Sequence, residues 1–386
     1  MTVLHVPEPI WVSSNELLHE YCQAWLQEPF LALDTEFVRV STFYPQAGLL
    51  QVADRQACYL IDPLLITDWT PLAHVFRCES VIKVFHACLE DIEVCRRLTG
   101  ELPAPLVDSQ LAAALAGMGG SLGFQKLVGL LLEVELAKEE TRSNWLQRPL
   151  SDEQVRYAVA DVFYLHQLYP LLDDVLIRQG RREWLSEDCQ RLLADVGQTD
   201  NPADYYRRVK LAWRLRPQEQ YVLQQVALWR ELKARERDVP RSKVIDDQCL
   251  WNMARFKPAN REQLARAGLR NDILRHDAPE LIRIIRDALA APSDQWPRTL
   301  DIPLSPEAGV WLKQTKEVVA SRAALLNIPP EILARKKALE ALIRTGDSGQ
   351  WRLPESLSGW RQEQIGAPLL ALLADVSNQP YVESES

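Results

Sequence analysis

Four acidic side chains and one phenol stand at spacings that suit phosphoryl chemistry. Asp34 and Glu36 are two residues apart, Asp91 lies downstream, and Tyr157 precedes Asp161 by four. Carboxylates are hard oxygen donors, the ligands that magnesium and manganese prefer. Two such ions held about 3.5–4 Å apart clamp the attacking and leaving oxygens of a phosphoryl displacement. On a strand, Asp34 and Glu36 project from one face, and anions so close are costly out of water unless cations join them. The same three letters, D-T-E, also make a polar turn that caps the next element. Tyr157 and Asp161, at i and i+4, share one helix face. A phenol with a pKa near ~10 is a poor base at neutral pH but orients a water; alternatively Tyr157 packs in the core and Asp161 is exposed. Asp91 is either a further ligand or a first-turn acid that complements a helix dipole.

Elements that place these residues are legible around them. Phe30–Leu33 reads as a short buried strand leading into Asp34. Leu49–Ala53 and Cys58–Ile61 read as a hairpin around Asp54-Arg55-Gln56. Val81–Phe85 is a further strand, followed by a helix from about Leu89 to Leu98 that carries Asp91. Gly117–Gly120 reads as a loop. Ser151-Asp152-Glu153-Gln154 has the form of a capping box behind Pro149. The helix it starts is predicted to pass Tyr157 and Asp161 and to end at Pro170. Strands interleaved with helices give an α/β fold with a mixed sheet.

After residue 205 the strand patterns stop. Leu223, Val226, Ala227 and Arg230 open an amphipathic helix that Pro240 closes. Ala291–Pro297 reads as a linker, and from Ser305 a second all-helical piece begins. Residues 1–200, 205–291 and 300–380 are thus the expected domains. Length fits this: 386 residues exceed one ordinary domain. The tail Glu383–Ser386 is expected to fray.

Charge is unevenly distributed. Residues 1–204 carry 15 basic and 30 acidic side chains, whereas 205–290 carry 19 and 11. That basic middle segment is either a surface for a polyanion or a solvated helical face. Seven cysteines, an odd number with no C-x-x-C pair, argue against a disulfide framework or a zinc site. No apolar run approaches the ~18 residues of a membrane span, and Met1–His5 has no signal-like character. A soluble, cytoplasmic protein is expected.

In order and type, Asp-x-Glu, Asp, Tyr-x-x-x-Asp resembles the signature of the tyrosine-bearing DEDD exonucleases, whose catalytic domain has an RNase H-like fold. His86-Ala87-Cys88-Leu89-Glu90-Asp91 is similar to the second motif of that family. Flanking residues are similar to the ribonuclease D family: Asp34–Arg39 with Thr42–Pro45, Leu50-Gln51-Val52, and Asn144-Trp145 with Arg148-Pro149-Leu150. Leu228-Trp229-Arg230, Asp238–Arg241 and Asp246–Leu250 resemble the helicase-and-RNase-D C-terminal (HRDC) domain, and the piece after Ser305 looks like a looser second copy.

The resemblance implies a monomeric 3′–5′ exoribonuclease that trims tRNA precursors and other small RNAs, releasing nucleoside 5′-monophosphates with two divalent ions, Mg²⁺ or Mn²⁺. Asp34, Glu36 and Asp161 are expected to hold one ion, Asp34 with Asp91 the other, and Tyr157 to position the nucleophile. Phe37, Phe43 and Tyr44 are candidates to stack terminal bases, or else they are core. Gln51 is a further candidate at the substrate. His86 is either a satisfied structural histidine or a ligand for RNA. Arg207, Arg208, Lys210, Arg214, Arg216, Lys233, Arg235, Arg241 and Lys243 are candidates to bind RNA phosphates. Two rivals remain: a DNA exonuclease with the same acids, and a binding protein with a silenced nuclease core.

Overall fold

The computed structural model describes residues 6–136, 143–198, 201–346 and 350–377. The tail Glu383–Ser386 and the start Met1–His5 lie outside the described residues. Six strands among them form one mixed sheet: β1 (Ile10–Val12), β2 (Phe30–Val38), β3 (Gln46–Ala53), β4 (Cys58–Ile61), β5 (Ile82–Phe85) and β6 (Leu106–Asp108), in the order β1-β4-β3-β2-β5-β6. β2 is central and pairs in parallel with β5, which pairs in parallel with β6. The expected hairpin is β3–β4, antiparallel with Val52 opposite Tyr59 and Leu50 opposite Ile61.

Alternation along these strands sorts the side chains. Leu31 and Leu33 of β2, Leu50 and Val52 of β3 and Tyr59 and Ile61 of β4 join one apolar cluster. Helices α1 (Asn15–Trp25), α2 (Thr70–Arg77) and α3 (Leu89–Thr99) supply Leu18, Trp25, Val75, Phe76 and Ile92 to it. Each fully buried side chain of this size contributes about 1.5–3 kcal/mol. The residues between them in β2, Asp34 and Glu36 included, therefore take the opposite face. The strand is longer than the sequence pattern indicated: it continues to Val38, so both acids sit within it rather than at its exit.

Helices α4 (Ser109–Leu115) and α5 (Phe124–Leu132) follow, and then α6 (Asp152–Arg178). The capping box is present: Ser151 Oγ accepts from Gln154 N, and Gln154 Oε1 accepts from Ser151 N. α6 does not stop at Pro170. A proline inside a helix costs about 3 kcal/mol, but Leu172 and Leu176 beyond it are buried and Pro170 itself is exposed, so apolar burial offsets the lost hydrogen bond. Helix α7 (Arg182–Gln198) ends this stretch.

Only helices occur in the described residues beyond 205, as expected. Beside short 3-10 and π turns, the α-helices are α8 (Pro217–Glu236), α9 (Arg241–Val244), α10 (Asp247–Phe256), α11 (Arg261–Arg266), α12 (Asn271–His276) and α13 (Ala278–Ala290), then α14 (Pro306–Leu326), α15 (Pro330–Leu333), α16 (Lys336–Thr345) and α17 (Ala367–Ser377). Ser305 caps α14 through a hydrogen bond from Ala308 N. Two compact units result, and they do not follow chain order. One comprises residues up to 37, 47–196 and those from 304 on; the other comprises 38–46 and 197–303.

In the first unit, Trp184 of α7 stacks on Trp360 with 4.5 Å between ring centroids. Nearby, buried Asp188 accepts from Trp360 Nε1 at 3.1 Å and from Arg361 Nη2 at 2.8 Å. The second unit has its own core around Val222, Leu223, Val226 and Trp229 of α8. All seven cysteines are free thiols, six of them buried. No helix among the described residues is long and apolar enough to cross a membrane.

Candidate active site

Three carboxylates, from Asp34, Glu36 and Asp161, each place an oxygen within 4.8 Å of the others. β2 supplies the first two from one face, and α6 supplies the third. Asp91 comes from the first turn of α3 and is fixed by Thr35, whose hydroxyl donates to Asp91 Oδ1 at 2.6 Å. Thr35 lies between the two acids on the strand and points the other way. One tripeptide thus offers two carboxylates on one face and holds a third acid from the other.

The start of α3 is set by Asp108 at the end of β6. Its carboxylate accepts from Ala87 N at 3.1 Å and from Cys88 N at 3.2 Å, while also capping α4 through Gln110 N at 2.8 Å. Ala87 has φ 57°, a left-handed conformation that turns the chain from β5 into α3. Without that turn Asp91 would not face β2.

Electrostatics make the cluster unstable as a set of bare anions. Burial, and then the charges of Asp91, Asp161 and Glu36, push the Asp34 carboxyl well above the usual carboxylate range, against one backbone hydrogen bond at Thr35. Glu36 is pushed up to about 9 by burial, then by Asp161 and Asp91. Asp91 rises to about 6 because burial outweighs its hydrogen bonds at Thr35 and at its own backbone. Buried like charges at this spacing resist ionisation unless a cation neutralises them. An all-oxygen donor set of this kind fits a hard divalent ion.

Tyr157 belongs to the cluster. Burial raises its phenol pKa, the charges of Asp161, Glu36 and Asp34 raise it further, and the side chain is hydrogen-bonded to Asp161. The phenol therefore stays protonated, a neutral hydrogen-bonding group beside Asp161. Behind it Trp145, buried at 1% exposure, has its ring centroid 6.1 Å from that of Tyr157. Trp145 packs so tightly on β3 that a Cβ on Gly48 would lie 2.6 Å from the Trp145 Cβ, so only glycine fits there. Arg148 completes this support with a fork onto Asp62, Nε to Oδ2 and Nη2 to Oδ1 both at 2.6 Å, and a bond to Gly48 O at 2.7 Å.

Other residues singled out in the sequence fall differently. Phe43 is 6% exposed and belongs to the core of the second unit, its backbone N–H and that of Tyr44 both donating to Asp238 at 3.0 Å. The half-buried Tyr44 packs on the same core. Stacking of bases by Phe43 is thus excluded by its burial; the segment that follows β2 carries aromatic anchors for a helical core. Phe37, half-buried, alternates to the strand face opposite Asp34 and Glu36.

His86 is a satisfied internal histidine: Nδ1 bonds Ser109 Oγ at 2.9 Å and Nε2 bonds Leu122 O at 3.1 Å. Gln51 is fully buried, with neither amide atom partnered, and takes the sheet face of Asp34 because Leu50 and Val52 take the other.

The basic candidates divide into two kinds. Lys233 pairs with Glu236 and Glu280, Arg207 pairs with Asp204, and both Arg235 and Arg241 bond the fully buried Glu231. Arg208, Lys210, Arg214, Arg216 and Lys243 are exposed, Arg208 over Tyr205 at 4.6 Å and Arg214 over Trp213 at 5.0 Å.

Thr35 and Asp108 were not read as part of the site in the sequence. For Thr35 the available signal was strand alternation, which opposes it to the acids. Asp108 had a local one, since Asp-Ser-Gln ahead of an apolar run is an N-cap pattern.

Known proteins bear on this geometry. A family model described as a 3′-5′ exonuclease matches residues 9–177, and one described as an HRDC domain matches residues 219–285. Ribonuclease D of Pseudomonas paraeruginosa is 46% identical over 369 residues, covering 95% of this chain and 98% of that protein. The Escherichia coli ribonuclease D is 35% identical over 377 residues, covering 94% and 98%. The crystal structure of Escherichia coli RNase D, described as an exoribonuclease involved in structured RNA processing, matches with TM-score 0.89 at 35% identity, covering 96% of this chain and 99% of that one.

Proposed function

This chain belongs to the ribonuclease D family of 3′–5′ exoribonucleases, and from that premise we propose that it trims the 3′ ends of tRNA precursors and other small structured RNAs, as a cytoplasmic monomer using two divalent ions. An exonuclease domain of this kind uses divalent metal; the proposal concerns the number of ions and the residues that hold them. One observation carries it: three carboxylates from two elements converge within 4.8 Å and repel one another. Asp34, Glu36 and Asp161 would hold one ion, and Asp34 with Asp91 the second. When bound, the pair supplies charge stabilisation at the phosphate and lowers the pKa of the attacking water.

The chain's own groups do the rest. Tyr157, kept protonated and bonded to Asp161, orients the water for in-line attack on the last phosphodiester. The bond from phosphorus to the 3′ oxygen breaks, a nucleoside 5′-monophosphate leaves, and the shortened strand keeps a 3′-hydroxyl. Thr35 holds Asp91 in the bonding position. Residues 205–291, which include the HRDC match, and the helices of 300–380 would supply RNA affinity rather than chemistry. The support for the former is the excess of 19 basic over 11 acidic residues between 205 and 290.

The test is a time course on a 5′-labelled tRNA with extra 3′ nucleotides, run with Mg²⁺, Mn²⁺ or chelator beside a matched DNA strand and the Asp34→Ala variant. A metal-dependent ladder, faster on RNA and absent in the variant, is the expected result. Near-full activity in Asp34→Ala would refute the assignment of the site, and preference for DNA would refute the substrate class.

A further inference from the structure

Within the second unit, a cavity of about 450 Å³ opens between the turn of Pro202–Arg208, α8 and the start of α10. Arg208, Arg230 and Arg241 line it together with Tyr205 and the carboxylates of Asp246 and Asp247. Its walls are rigidly built. Arg241 is gripped by buried Glu231, Nη2 to Oε1 at 2.7 Å, and its guanidinium lies between the rings of Tyr205 and Phe43, at 4.3 and 4.6 Å from their centroids. Arg208 covers Tyr205 at 4.6 Å and is exposed.

Two features of this lining leave hydrogen-bonding capacity open. Arg230 is 5% exposed and bonds Ile245 O and Asp247 Oδ1 through Nη1, yet its buried Nε has no partner. An unmet buried donor carries the cost of its lost hydration. Arg208 has no carboxylate partner among the described residues, and the fork of Arg241 onto Glu231 uses Nε and Nη2 and leaves Nη1, so guanidinium donors remain on the cavity wall. The carboxylates sort the ligand further. Asp247 is paired with Arg230, and Asp246 Oδ1 caps α10 by accepting from Cys249 N at 2.7 Å. A bare phosphate would be repelled by their remaining acceptor capacity and would leave most of the volume empty. A ligand with an anionic end and a hydroxyl-bearing end satisfies both.

We propose that this cavity takes one nucleotide of single-stranded RNA, its phosphate on Arg208 and Arg241 and its ribose hydroxyls toward Asp246 and Asp247. The ligand class rests on the reading of the chain as an RNA enzyme. Guanidiniums recognise phosphate through forked hydrogen bonds, and a site of this size accommodates a nucleotide. The site differs from an open basic surface in that Glu231 and two aromatic rings hold its arginines in place before RNA arrives.

Binding of a labelled single-stranded RNA twelve nucleotides long is measured on the full chain carrying Asp34→Ala, which prevents degradation, across a range of salt concentrations. Adding Arg208→Glu is expected to weaken binding at least tenfold and to reduce the slope of log affinity against log salt by about one. Ser242→Glu, at an exposed position of the lining, is expected to weaken binding likewise and serves where Arg208→Glu disturbs folding. Reversal at Arg286, exposed on α13 and outside the lining, is expected to change affinity less than twofold. Unchanged affinity and slope in both lining variants, with melting curves intact, overturns the proposal, as does an equal loss in the Arg286 control. Hydrolysis of a trinucleotide by the unaltered chain reports separately on the exoribonuclease reading, because the binding arm needs no turnover.

Discussion

The carboxylates around Asp34, half-buried, and the fully buried carboxylate of Glu231 are both shielded from water, yet their surroundings differ in sign. Glu231, fully buried on α8, accepts from Arg235 and Arg241, and Glu219 one helix face away accepts from Arg255 and Lys257 at 3.0 and 2.9 Å. Those charges are neutralised inside the fold and bring helices together. Around Asp34 the charged neighbours that raise its pKa are Asp91, Asp161 and Glu36, all of the same sign. Buried acids elsewhere, Glu231 and Glu219 in the second unit and Asp62 and Asp188 in the first, are met by arginine, whereas like charges gather around Asp34, a pattern that suits a cation from solution. Like-charge crowding thus marks the chemistry, and ion pairing marks the architecture.

This contrast can be broken most sharply at Asp34. Asp34→Ala is expected to lower single-turnover hydrolysis of RNA by roughly a thousandfold or more. Because the change relieves repulsion, its melting temperature without metal should equal or exceed that of the unaltered chain. A large fall in melting temperature would show Asp34 to be structural. The converse holds at Glu231. Glu231→Gln strands two guanidiniums and is expected to destabilise the second unit by about 3–5 kcal/mol in urea unfolding. A cost below about 1 kcal/mol would mean that the pairs are spectators.

Metal should read out the same difference without any catalysis. Mn²⁺ at a hundred times its Kd stabilises a native state by about 2.7 kcal/mol, so the melting temperature of the unaltered chain should rise with Mn²⁺ and fall back with chelator. Asp34→Ala should lose that response; a retained rise would place the ion elsewhere. Smallest is the effect of Tyr157→Phe, expected to slow the chemical step roughly tenfold to a hundredfold with little change in KM, since the phenol positions rather than binds. A pH–rate profile whose alkaline limb moves in this variant would instead make the phenol a proton-transfer group.

Much of the catalytic half was legible because its signals are local. The two-residue spacing of Asp34 and Glu36 after the strand-like Phe30–Leu33 is enough to put them on one face, and the Ser151–Gln154 box with an i, i+4 spacing is enough to align Tyr157 with Asp161. Pro170 misled because a local penalty was outweighed by burial of Leu172 and Leu176, which no short window contains. For Phe43 and Tyr44 the sequence left base stacking and core both open, and long-range packing against Asp238 and Arg241 puts Phe43 in a helical core with Tyr44 against it.

By itself the sequence determined which residues can ligate metal, which strands and helices carry them, and where basic charge is concentrated, because residue type, periodicity and capping act over a few positions. Only the tertiary structure decided that Thr35 reaches Asp91 across 56 residues, that Asp108 sets the start of α3, and that residues 38–46 pack with 197–303. It also decided that Glu231 holds Arg235 and Arg241, and that Arg208, Arg230 and Arg241 line one cavity. Those outcomes depend on contacts between distant segments, where burial and charge pairing select among partners that the local pattern leaves equivalent.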